Sequence, residues 1–355
     1  MIQRIRHLFE KHGKHISTGA LVFGFIFDFF TLTRIDRLYD NLVLLFYITV
    51  SCVGIFLFNY IDSRNIQKEL AQNLRAFLPA VVQFAFGGLF SGISIFYLRS
   101  STISINLLFI LALFGLLIGN EFFRERYKQM TFQLGVLYFV LYSYLIFSLP
   151  ILLKSIGPMV FILSGIASLG VMSAILLLFR KILKFRFERS KKSLFITISS
   201  IFVSINILYF LNIIPPIPLS LKEVNAYPLV YRSGDKYVAL EENRLFNILD
   251  KVRIAEGEPV YVFSSVFSPA NLDTKIVHNW QYFDGSKGRW ISAGKIDFDI
   301  VGGRGDGFRG FTKKENIFAG SWRVDVETAR GQLIGRETFR IEFVEEKPKL
   351  FEKEL

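Results

Sequence analysis

The sequence has a single cysteine and none of the residue combinations that mark the common catalytic sites. Because Cys52 is alone among 355 residues, an intramolecular disulfide and a cysteine-based metal cluster are both excluded. The four histidines, His7, His12, His15 and His278, form no His-Glu-x-x-His arrangement, and the chain contains no Gly-x-Ser-x-Gly elbow. We therefore predict neither an enzyme nor a bound metal or cofactor.

Acidic residues are scarce in the first part of the chain. Residues 1–216 contain 21 Lys+Arg and 9 Asp+Glu, an excess of twelve, whereas residues 217–355 contain 21 of each. The formal net charge of +12 therefore belongs entirely to residues 1–216. Basic residues between apolar runs are typical of loops that face an anionic cytoplasmic leaflet, and this distribution argues against a nucleic-acid-binding domain.

Long apolar runs, by contrast, are abundant before Pro215. Seven of them are each close to the ~20 residues that a helix needs to cross the hydrocarbon core. They are roughly Ile16–Thr33, Asn41–Tyr60, Phe77–Leu98, Ile103–Gly119, Met130–Leu149, Pro158–Phe179 and Leu194–Ile214. Because they are continuously apolar and do not alternate, they predict helices and not membrane strands.

The basic residues between these runs predict an orientation. With the N-terminus in the cytoplasm, every inside segment has more Lys and Arg than any outside loop, which carry only Arg34, Arg37, Arg99 and Lys154. Seven crossings then put everything after Pro215 outside the cytoplasm. If the first span, or the closely spaced fifth or sixth, did not cross, the two termini would lie on the same side. The basic, Phe-containing loop Arg180–Ser193 is expected to contact anionic lipid headgroups.

The chain after Pro215 predicts strands. Ile276, His278, Trp280 and Tyr282 share one face of Lys275–Phe283, and a turn at Asp284-Gly285 could return the chain antiparallel through Trp290–Ile300. Further strands are predicted at Glu258–Phe267, at Trp322–Val326, where Trp322, Val324 and Val326 alternate with charged residues, and at Phe339–Phe343. One buried face per strand favours an antiparallel sandwich.

These patterns predict an α-helical integral membrane bundle of about seven spans, followed by an all-β immunoglobulin-like sandwich domain. The predicted boundaries are a basic cytoplasmic tail at 1–15, the seven-helix domain at 16–214, a Pro-rich linker at 215–222, the extracytoplasmic β domain at 223–346 and a charged tail at 347–355. The Pro residues predict a semi-rigid spacer. The predicted location is the cytoplasmic (inner) membrane.

Short motifs occur in a distinctive order along the chain. They are Phe27–Asp36, Ile214–Lys222, Trp280, Val301–Arg304, Arg309 with Lys313 or Lys314, Gly320–Val324, Gly331 and Phe339. Together they resemble multi-pass bacterial membrane proteins that end in the "domain of unknown function 2914". The resemblance covers most of the chain and implies an envelope membrane protein with an outer β-domain. It implies no activity, because the family is named for lacking one.

Asp28 is the sharpest feature of the predicted spans. A carboxylate at the centre of a span costs roughly 2.5 to 3.5 kcal/mol on insertion scales, so it usually faces a bundle interior and has a partner. Arg34 and Arg37 are near enough in sequence to pair with it. Asp28 could form a proton or substrate site, or a structural ion pair near the outer end of the span, which is the favoured interpretation.

Other polar residues lie in or beside the spans. Asp36, Gln83 and Glu121 are candidates for a polar path through the bundle, and Gly87-Gly88 with Gly92 give the third span a small-residue face. Interhelical packing and hydrogen bonding explain this pattern better than a transport path does.

In the outer domain, the glycine-rich Val301–Gly310 segment carries Arg304 and Arg309, and Lys313 follows it. Arginine side chains and converging backbone N–H groups can bind an anion, although a plain hairpin loop is the simpler explanation. Trp280 and Trp322 are expected to anchor the core, but one tryptophan could lie exposed and stack on a sugar.

We therefore expect the outer domain to bind an envelope protein, a glycan or a lipid in an assembly, sensing or scaffold role. Arg304, Arg309, Lys313, Trp280 and Trp322 are its candidate residues. The alternative is a transporter or flippase for a lipid-linked or small anionic solute that uses Asp28 and the polar residues of spans 3 and 4. The expected partners are the bilayer, anionic headgroups at the cytoplasmic loops and an envelope protein or glycan, with no nucleic acid.

Overall fold

A computed structural model describes residues 23–32, 37–99, 103–122, 126–214, 219–242, 251–268, 274–300, 307–346 and 348–355. The predictions for the 1–15 tail, Pro215–Pro218, Arg34, Asp36 and Arg304 lie outside these residues. The chain forms two compact units, a helical one that ends at Ile214 and a β-rich one that contains Pro215–Leu355.

The helical unit consists of long helices at the positions of the apolar runs. They are α1, described over residues 23–31, α2 Leu38–Arg64, α3 Glu69–Arg99, α4 Ile103–Phe122, α5 Met130–Leu153 and α6 Pro158–Phe210, with a 3-10 turn at Arg126–Lys128 before α5. The helical prediction for this half of the chain is confirmed.

Five helical stretches among the described residues are long and apolar enough to cross a membrane. They are Leu38–Arg64, Glu69–Leu98, Met130–Leu153, Pro158–Lys184 and Phe187–Phe210. A shorter apolar stretch, Ile110–Asn120, lies within α4. Several of the predicted spans therefore have the length and composition that a crossing requires.

The last helix, α6, doubles back on itself. A straight helix of its 53 residues would be about 80 Å long, but Leu183 has non-helical angles of φ −106° and ψ 24°. The ring of Phe161 stacks on Tyr209 with centroids 3.6 Å apart, so the two halves run antiparallel. The prediction of a loop at Arg180–Ser193 was wrong, because this segment is helical apart from the break at Leu183.

The consecutive helices α2 and α3 run in opposite directions. Tyr47 of α2 contacts the ring of Phe84 of α3, while Phe58, farther along α2, lies under Arg75 near the start of α3. Close approach is possible because Gly88 of α3 faces the Tyr47 ring, where an added Cβ would lie 2.7 Å from a ring carbon. Small residues at such crossings are typical of helices that pack in membranes.

The β-rich unit contains eleven described strands in three sheets. The strands are β1 Ser220–Tyr227, β2 Leu229–Ser233, β3 Lys236–Glu242, β4 Lys251–Ile254, β5 Val260–Phe267, β6 Thr274–Asp284, β7 Arg289–Ile300, β8 Phe308–Lys314, β9 Gly320–Thr328, β10 Leu333–Phe343 and β11 Leu350–Glu354. The sheet orders are β1-β5-β8, β4-β10-β9-β6-β7 and β11-β3-β2. The β-rich character is confirmed, although β4 pairs with β10 in parallel, so the unit is not purely antiparallel.

The core lies between the five-stranded sheet and the β1-β5-β8 sheet. Val260 and Val262 of β5 pack with Trp280, Trp322 and Phe339 from the opposing sheet. The alternating residues of β5, such as Phe263, instead pack against the β11-β3-β2 sheet. The β1-β5-β8 sheet is therefore buried on both faces, which explains the near-continuous burial of β5.

Two predicted boundaries of the β domain were wrong. Residues 347–355 were expected to be a loose tail, but Leu350–Glu354 pair antiparallel with β3, because the segment offers a free backbone edge and charges opposite to those of β3, such as Lys353 beside Glu241. The predicted linker, 215–222, overlaps β1, which begins at Ser220.

Candidate binding surface

The face of the five-stranded sheet that points away from the core carries a connected set of polar side chains. Alternation in β6 buries His278 and Trp280, and the same alternation places Asn279 and Gln281 on the opposite face. We call this surface the outer face; its members are Asn279, Gln281, Trp290, Ser292, Lys295, Arg323, Asp325, Glu327 and Arg336.

Asp325 is at the centre of the outer face. Arg336 donates two hydrogen bonds to its carboxylate, at 2.5 and 2.7 Å, and Gln281 Nε2 donates a third at 3.0 Å. Asp325 is only 5% exposed. Its buried charge is stabilised because these hydrogen-bond partners replace the water lost on burial. The hydrogen bond to Asp325 raises the pKa of Arg336.

Glu327 forms a second centre on the same strand. Asn279 Nδ2 donates to Glu327 Oε1 at 3.0 Å, and Lys295 Nζ donates to Oε2 at 3.2 Å. The Ser292 hydroxyl donates in turn to Asn279 Oδ1 at 2.9 Å. Each carboxylate of the outer face is therefore held by one basic side chain and one amide.

Arg323 has a different environment. Its Nε and Nη2 donate to Gln281 Oε1 at 2.9 and 2.7 Å, and its Cζ lies 4.5 Å from the centroid of the Trp290 ring. The Trp290 ring is partly exposed and packs edge-on against Phe283, which is 42% exposed. We call Arg323, Trp290 and Phe283 the aromatic corner.

The charges of the outer face are unequal. Arg323, Arg336 and Lys295 give three positive charges, and Asp325 and Glu327 give two negative ones, so the excess is one positive charge (three less two). Burial, and then the nearby Arg336, lower the pKa of Arg323, but guanidinium groups remain charged at neutral pH. The excess charge therefore lies at the aromatic corner.

The two tryptophans proposed as binding candidates lie in the core. Trp280 and Trp322 are 0% and 1% exposed. Trp280 Nε1 donates to Thr312 Oγ1 at 3.0 Å, and Trp322 Nε1 donates to the Phe318 carbonyl at 2.9 Å. A ligand has no access to either ring, and Trp290 is the tryptophan with an exposed surface.

The basic candidates of the β unit lie apart from the tryptophans. Arg309 and Lys313 are on β8, where Arg309 donates to the backbone carbonyl of Leu355 at 2.9 Å and Lys313 pairs with the exposed Glu315 at 2.7 Å. Both project from β8 on the side opposite Thr312, which faces Trp280. The structure therefore does not bring Arg309, Lys313, Trp280 and Trp322 into one site.

Two of the polar candidates of the helical unit are in different surroundings. Asp28 lies beside Ser91 of α3, but the Ser91 hydroxyl is buried and has no hydrogen-bond partner at normal geometry among the described residues. Gln83 and Asn120 bond reciprocally, each side-chain amide donating to the backbone carbonyl of the other at 3.0 and 3.1 Å. Glu121 is the last residue but one of α4, and its side chain lies outside the described part.

The Gln83–Asn120 pair extends into a larger network that the sequence analysis missed. The Tyr127 hydroxyl donates to Asn120 Oδ1, and Asn59 Nδ2 donates to Gln133 Oε1 at 2.7 Å. The sequence signal for this network is the presence of side-chain amides within apolar runs. They indicate that a partner exists but do not identify it, because the partner comes from another helix.

Comparisons with known proteins bear on the β unit. Residues 273–341 match the model of the family described as "Protein of unknown function (DUF2914)", which confirms the resemblance for this segment. The matched segment runs from β6 into β10 and contains the whole outer face. No curated protein matches the chain.

One solved structure matches most of the chain at low similarity. It is Pseudomonas fluorescens alkylpurine DNA glycosylase AlkC bound to DNA containing an abasic site analog, with 10% identity over 87% of this chain and 99% of that one. The TM-score is 0.22, which supports no inference about fold or function.

Proposed function

We propose that the protein is a multi-pass protein of the cytoplasmic membrane that holds its β unit outside the cytoplasm, where the outer face binds an envelope protein or glycan. In this proposal α1 to α5 and the two halves of α6 make seven crossings. The N-terminus is then cytoplasmic.

Two features of the helical unit support this topology. The helices α2 and α3 run in opposite directions, and so do the two halves of α6, as consecutive crossings require. The basic segments around Arg64, Lys128 and Lys184 belong to the same end of the unit, since all three line one cleft, and the segments at the other helix ends carry few basic residues. This asymmetry is the one that the positive-inside rule describes.

The arrangement of sheets in the β unit supports a binding role, because it is similar to that of an immunoglobulin-like sandwich. Two sheets face each other around Trp280 and Trp322, as in an immunoglobulin-like sandwich, and such folds commonly bind partners on exposed surfaces. The parallel β4–β10 pair and the third sheet are additions to that scheme.

The observation that carries the binding proposal is the arrangement of the aromatic corner against the paired carboxylates. Arg323 is oriented by two hydrogen bonds and by the Trp290 ring, so little side-chain entropy would be lost on binding. Tryptophan and arginine are the residues most enriched at the energetic centres of interfaces. An exposed phenylalanine at the same corner adds apolar surface.

A site-specific photo-crosslinker tests this surface in cells. Placed at Phe283, which is 42% exposed, it should form adducts, while the same group at Phe351, which is 45% exposed on β11, should form none. Digestion of the adduct by protease or by glycan hydrolase then identifies the class of partner.

The matched variant carries both Trp290→Ala and Arg323→Ala. It should abolish the Phe283 adduct without unfolding the core, because neither side chain belongs to the core. Equal adducts from Phe283 and Phe351, or Phe283 adducts that survive the double substitution, would contradict the proposal.

The alternative function is transport of a lipid-linked or small anionic solute. The observation that supports transport is the position of Asp28. This acidic residue lies within α1, beside the buried Ser91. The substitution Asp28→Asn discriminates between the two functions. Loss of the cellular phenotype with normal folding favours transport, and an unchanged phenotype favours the binding role.

A further inference from the structure

A cleft of about 940 Å³ opens at one end of the helical unit. It is lined by three segments that are far apart in sequence: the end of α2, the start of α5 and the break within α6. We call it the basic cleft, because its lining contains five basic side chains and one acidic side chain. The basic residues are Arg64, Lys128, Lys181, Lys184 and Arg189.

The described acidic residues near the cleft are already paired. Asp62, the one carboxylate in the lining, forms an ion pair with Arg75. Glu188 lies 3.2 Å from Arg180 and 3.9 Å from Lys191. Within the described part of the chain, no carboxylate pairs with Arg64, Lys181, Lys184 or Arg189, so the lining residues leave a strong positive potential.

The fold concentrates this charge. The break at Leu183 separates Lys181 from Lys184 and Arg189, so basic side chains from both sides of the break line one cleft instead of continuing along one straight helix. Like charges that line one cleft repel one another, and this repulsion is relieved when an anion binds between them. A solvated basic segment would place its charges along one stretch of the chain. Here the basic side chains come together from three separate segments.

Neutral donors complete the lining. Met130 and Thr131 form the first turn of α5 and line the cleft. The first N–H groups of a helix have no acceptor within the helix and lie at the positive end of its dipole. Ser190 and Gln129 add side-chain donors. Guanidinium forks, ammonium groups and backbone N–H donors together are the groups that bind phosphate.

We propose that the basic cleft binds a phosphate-bearing anion, with Arg64, Lys184 and Arg189 as the main contacting residues. Such a phosphate can belong to the headgroup of an anionic phospholipid or to a soluble phosphorylated molecule. Both present the same chemistry to the cleft. This site is separate from the outer face, and it stands whether or not the β unit binds an envelope partner.

The test uses the full chain in nanodiscs made of zwitterionic lipid. One arm titrates inorganic pyrophosphate, and the other adds phosphatidylglycerol to the disc and counts retained lipids by native mass spectrometry. A single saturable site is expected in at least one arm, and the arm in which it occurs identifies the source of the phosphate. Absence of a saturable site in both arms would overturn the proposal.

A cleft variant and a surface variant separate a site from general attraction. The cleft variant carries Arg64→Gln, Lys184→Gln and Arg189→Gln; the surface variant carries Lys68→Gln, Arg126→Gln and Lys192→Gln, three exposed positions outside the cleft lining. We expect about a 10-fold loss of affinity for each cleft cation removed, so roughly 1000-fold for the three removed in the cleft variant, and little loss for the surface variant. Equal losses would show non-specific attraction and overturn the proposal.

A measurement on the unmodified protein covers the case in which the cleft variant fails to fold. Amine acylation followed by peptide mass spectrometry gives the reaction rate of each lysine. Saturating ligand should slow acylation of Lys184 and leave Lys192 unchanged. Equal protection of both lysines, or protection of neither, would contradict binding in the cleft.

Discussion

His278 shows how one residue links the sequence pattern to the core of the β unit. It lies on the buried face of β6 with Trp280, as the alternation predicts, and it is fully buried. Its Nε2 is 2.8 Å from Ser264 Oγ and its Nδ1 is 2.9 Å from Thr312 Oγ1. Burial lowers the pKa of His278 to about 3, so the ring is neutral and acts as a hydrogen-bonding bridge between two sheets.

This environment predicts a pH-dependent stability of the β unit. Because the folded-state pKa is below the unfolded value of about 6.5, the unfolded state binds the extra proton. Stability is therefore fully present above pH ~6.5 and falls as the pH drops, by up to about 1.4 kcal/mol per pH unit. Denaturant unfolding of the full chain can be followed by tryptophan fluorescence, since all three tryptophans lie in the β unit.

The control for the pH prediction is His278→Asn. The variant should be less stable at pH 7, because a buried hydrogen bond is lost, but it should have no slope between pH 6.5 and 5. The paired carboxylates with lowered pKa, such as Glu342, titrate below that window. A slope that persists in the variant would assign the effect to another group.

A second prediction at the residue scale concerns Asp325. Removing one partner of a buried ion pair leaves an uncompensated charge, and we expect Asp325→Ala to lower the free energy of unfolding by about 3 kcal/mol. Asp297→Ala on β7 is the matched control, because the Lys275–Asp297 pair at 3.2 Å is exposed and should contribute less than about 1 kcal/mol. Equal effects of the two substitutions, measured by tryptophan fluorescence, would contradict this interpretation of the outer face.

The outer face also shows that hydrogen-bond partners could not be predicted from the sequence. Alternation places Arg323, Asp325 and Glu327 opposite the core, but it says nothing about their partners. Those partners follow from register. Asn279 lies across from Asp325 and reaches diagonally to Glu327, and Gln281 lies across from Arg323 and reaches diagonally to Asp325. Asp325 and Glu327 are 5% and 7% exposed, because neighbouring side chains cover them. The expectation of one buried face per strand was therefore too simple for β9.

At the scale of elements, the helices could be predicted and one connection could not. Apolar runs identify the segments that are compatible with a lipid environment, and every described run forms a helix. The Arg180–Ser193 segment is polar, so hydropathy favoured a loop. Lysine, arginine and glutamate are good helix formers, however, and the helix continues through them on both sides of Leu183.

The strands divide in a similar way. β6, β7, β9 and β10 alternate clearly and were predictable. β11 is short and charged, and its stabilisation comes from backbone pairing with β3 and from surface ion pairs such as Lys236 with Glu354. No hydrophobic pattern marks an edge strand of this kind.

The close packing of α2 on α3 gives a prediction for Gly88. A Cβ there would lie 2.7 Å from a carbon of the Tyr47 ring, so we expect Gly88→Ala to destabilise the helical unit by about 1 to 3 kcal/mol. Gly115→Ala in α4 is the control, because, apart from the nearby backbone of α4 itself, no atom of the described residues lies within 4 Å of its added Cβ. It should be neutral or slightly stabilising.

The only cysteine provides the readout for this helix-packing prediction. Cys52 is in α2 and is partly buried, so its reaction with a thiol-reactive dye during heating reports the opening of the helical unit. The Gly88→Ala protein should react at a lower temperature than the wild type. An unchanged transition in Gly88→Ala, or an equal shift in Gly115→Ala, would contradict the packing argument.

At the scale of the whole molecule, the distribution of charge follows the two units. The excess of twelve positive charges lies in residues 1–216, and residues 217–355 are balanced, with 21 basic and 21 acidic residues. A basic cleft at one end of the helical unit and a polar outer face on the β unit are different surfaces. In the proposed topology, the basic cleft lies on the cytoplasmic side of the membrane and the outer face lies outside the cytoplasm.

Cysteine labelling tests this topology most directly. In a Cys52→Ser background, single cysteines are introduced at Lys287→Cys, in the exposed β6–β7 turn, and at Lys192→Cys, on the basic segment of α6. A membrane-impermeant maleimide added to sealed spheroplasts should label the Lys287→Cys protein at once and the Lys192→Cys protein only after detergent is added. Labelling of both from outside, protection of both, or the reverse pattern would contradict the proposed placement of the β unit outside the cytoplasm.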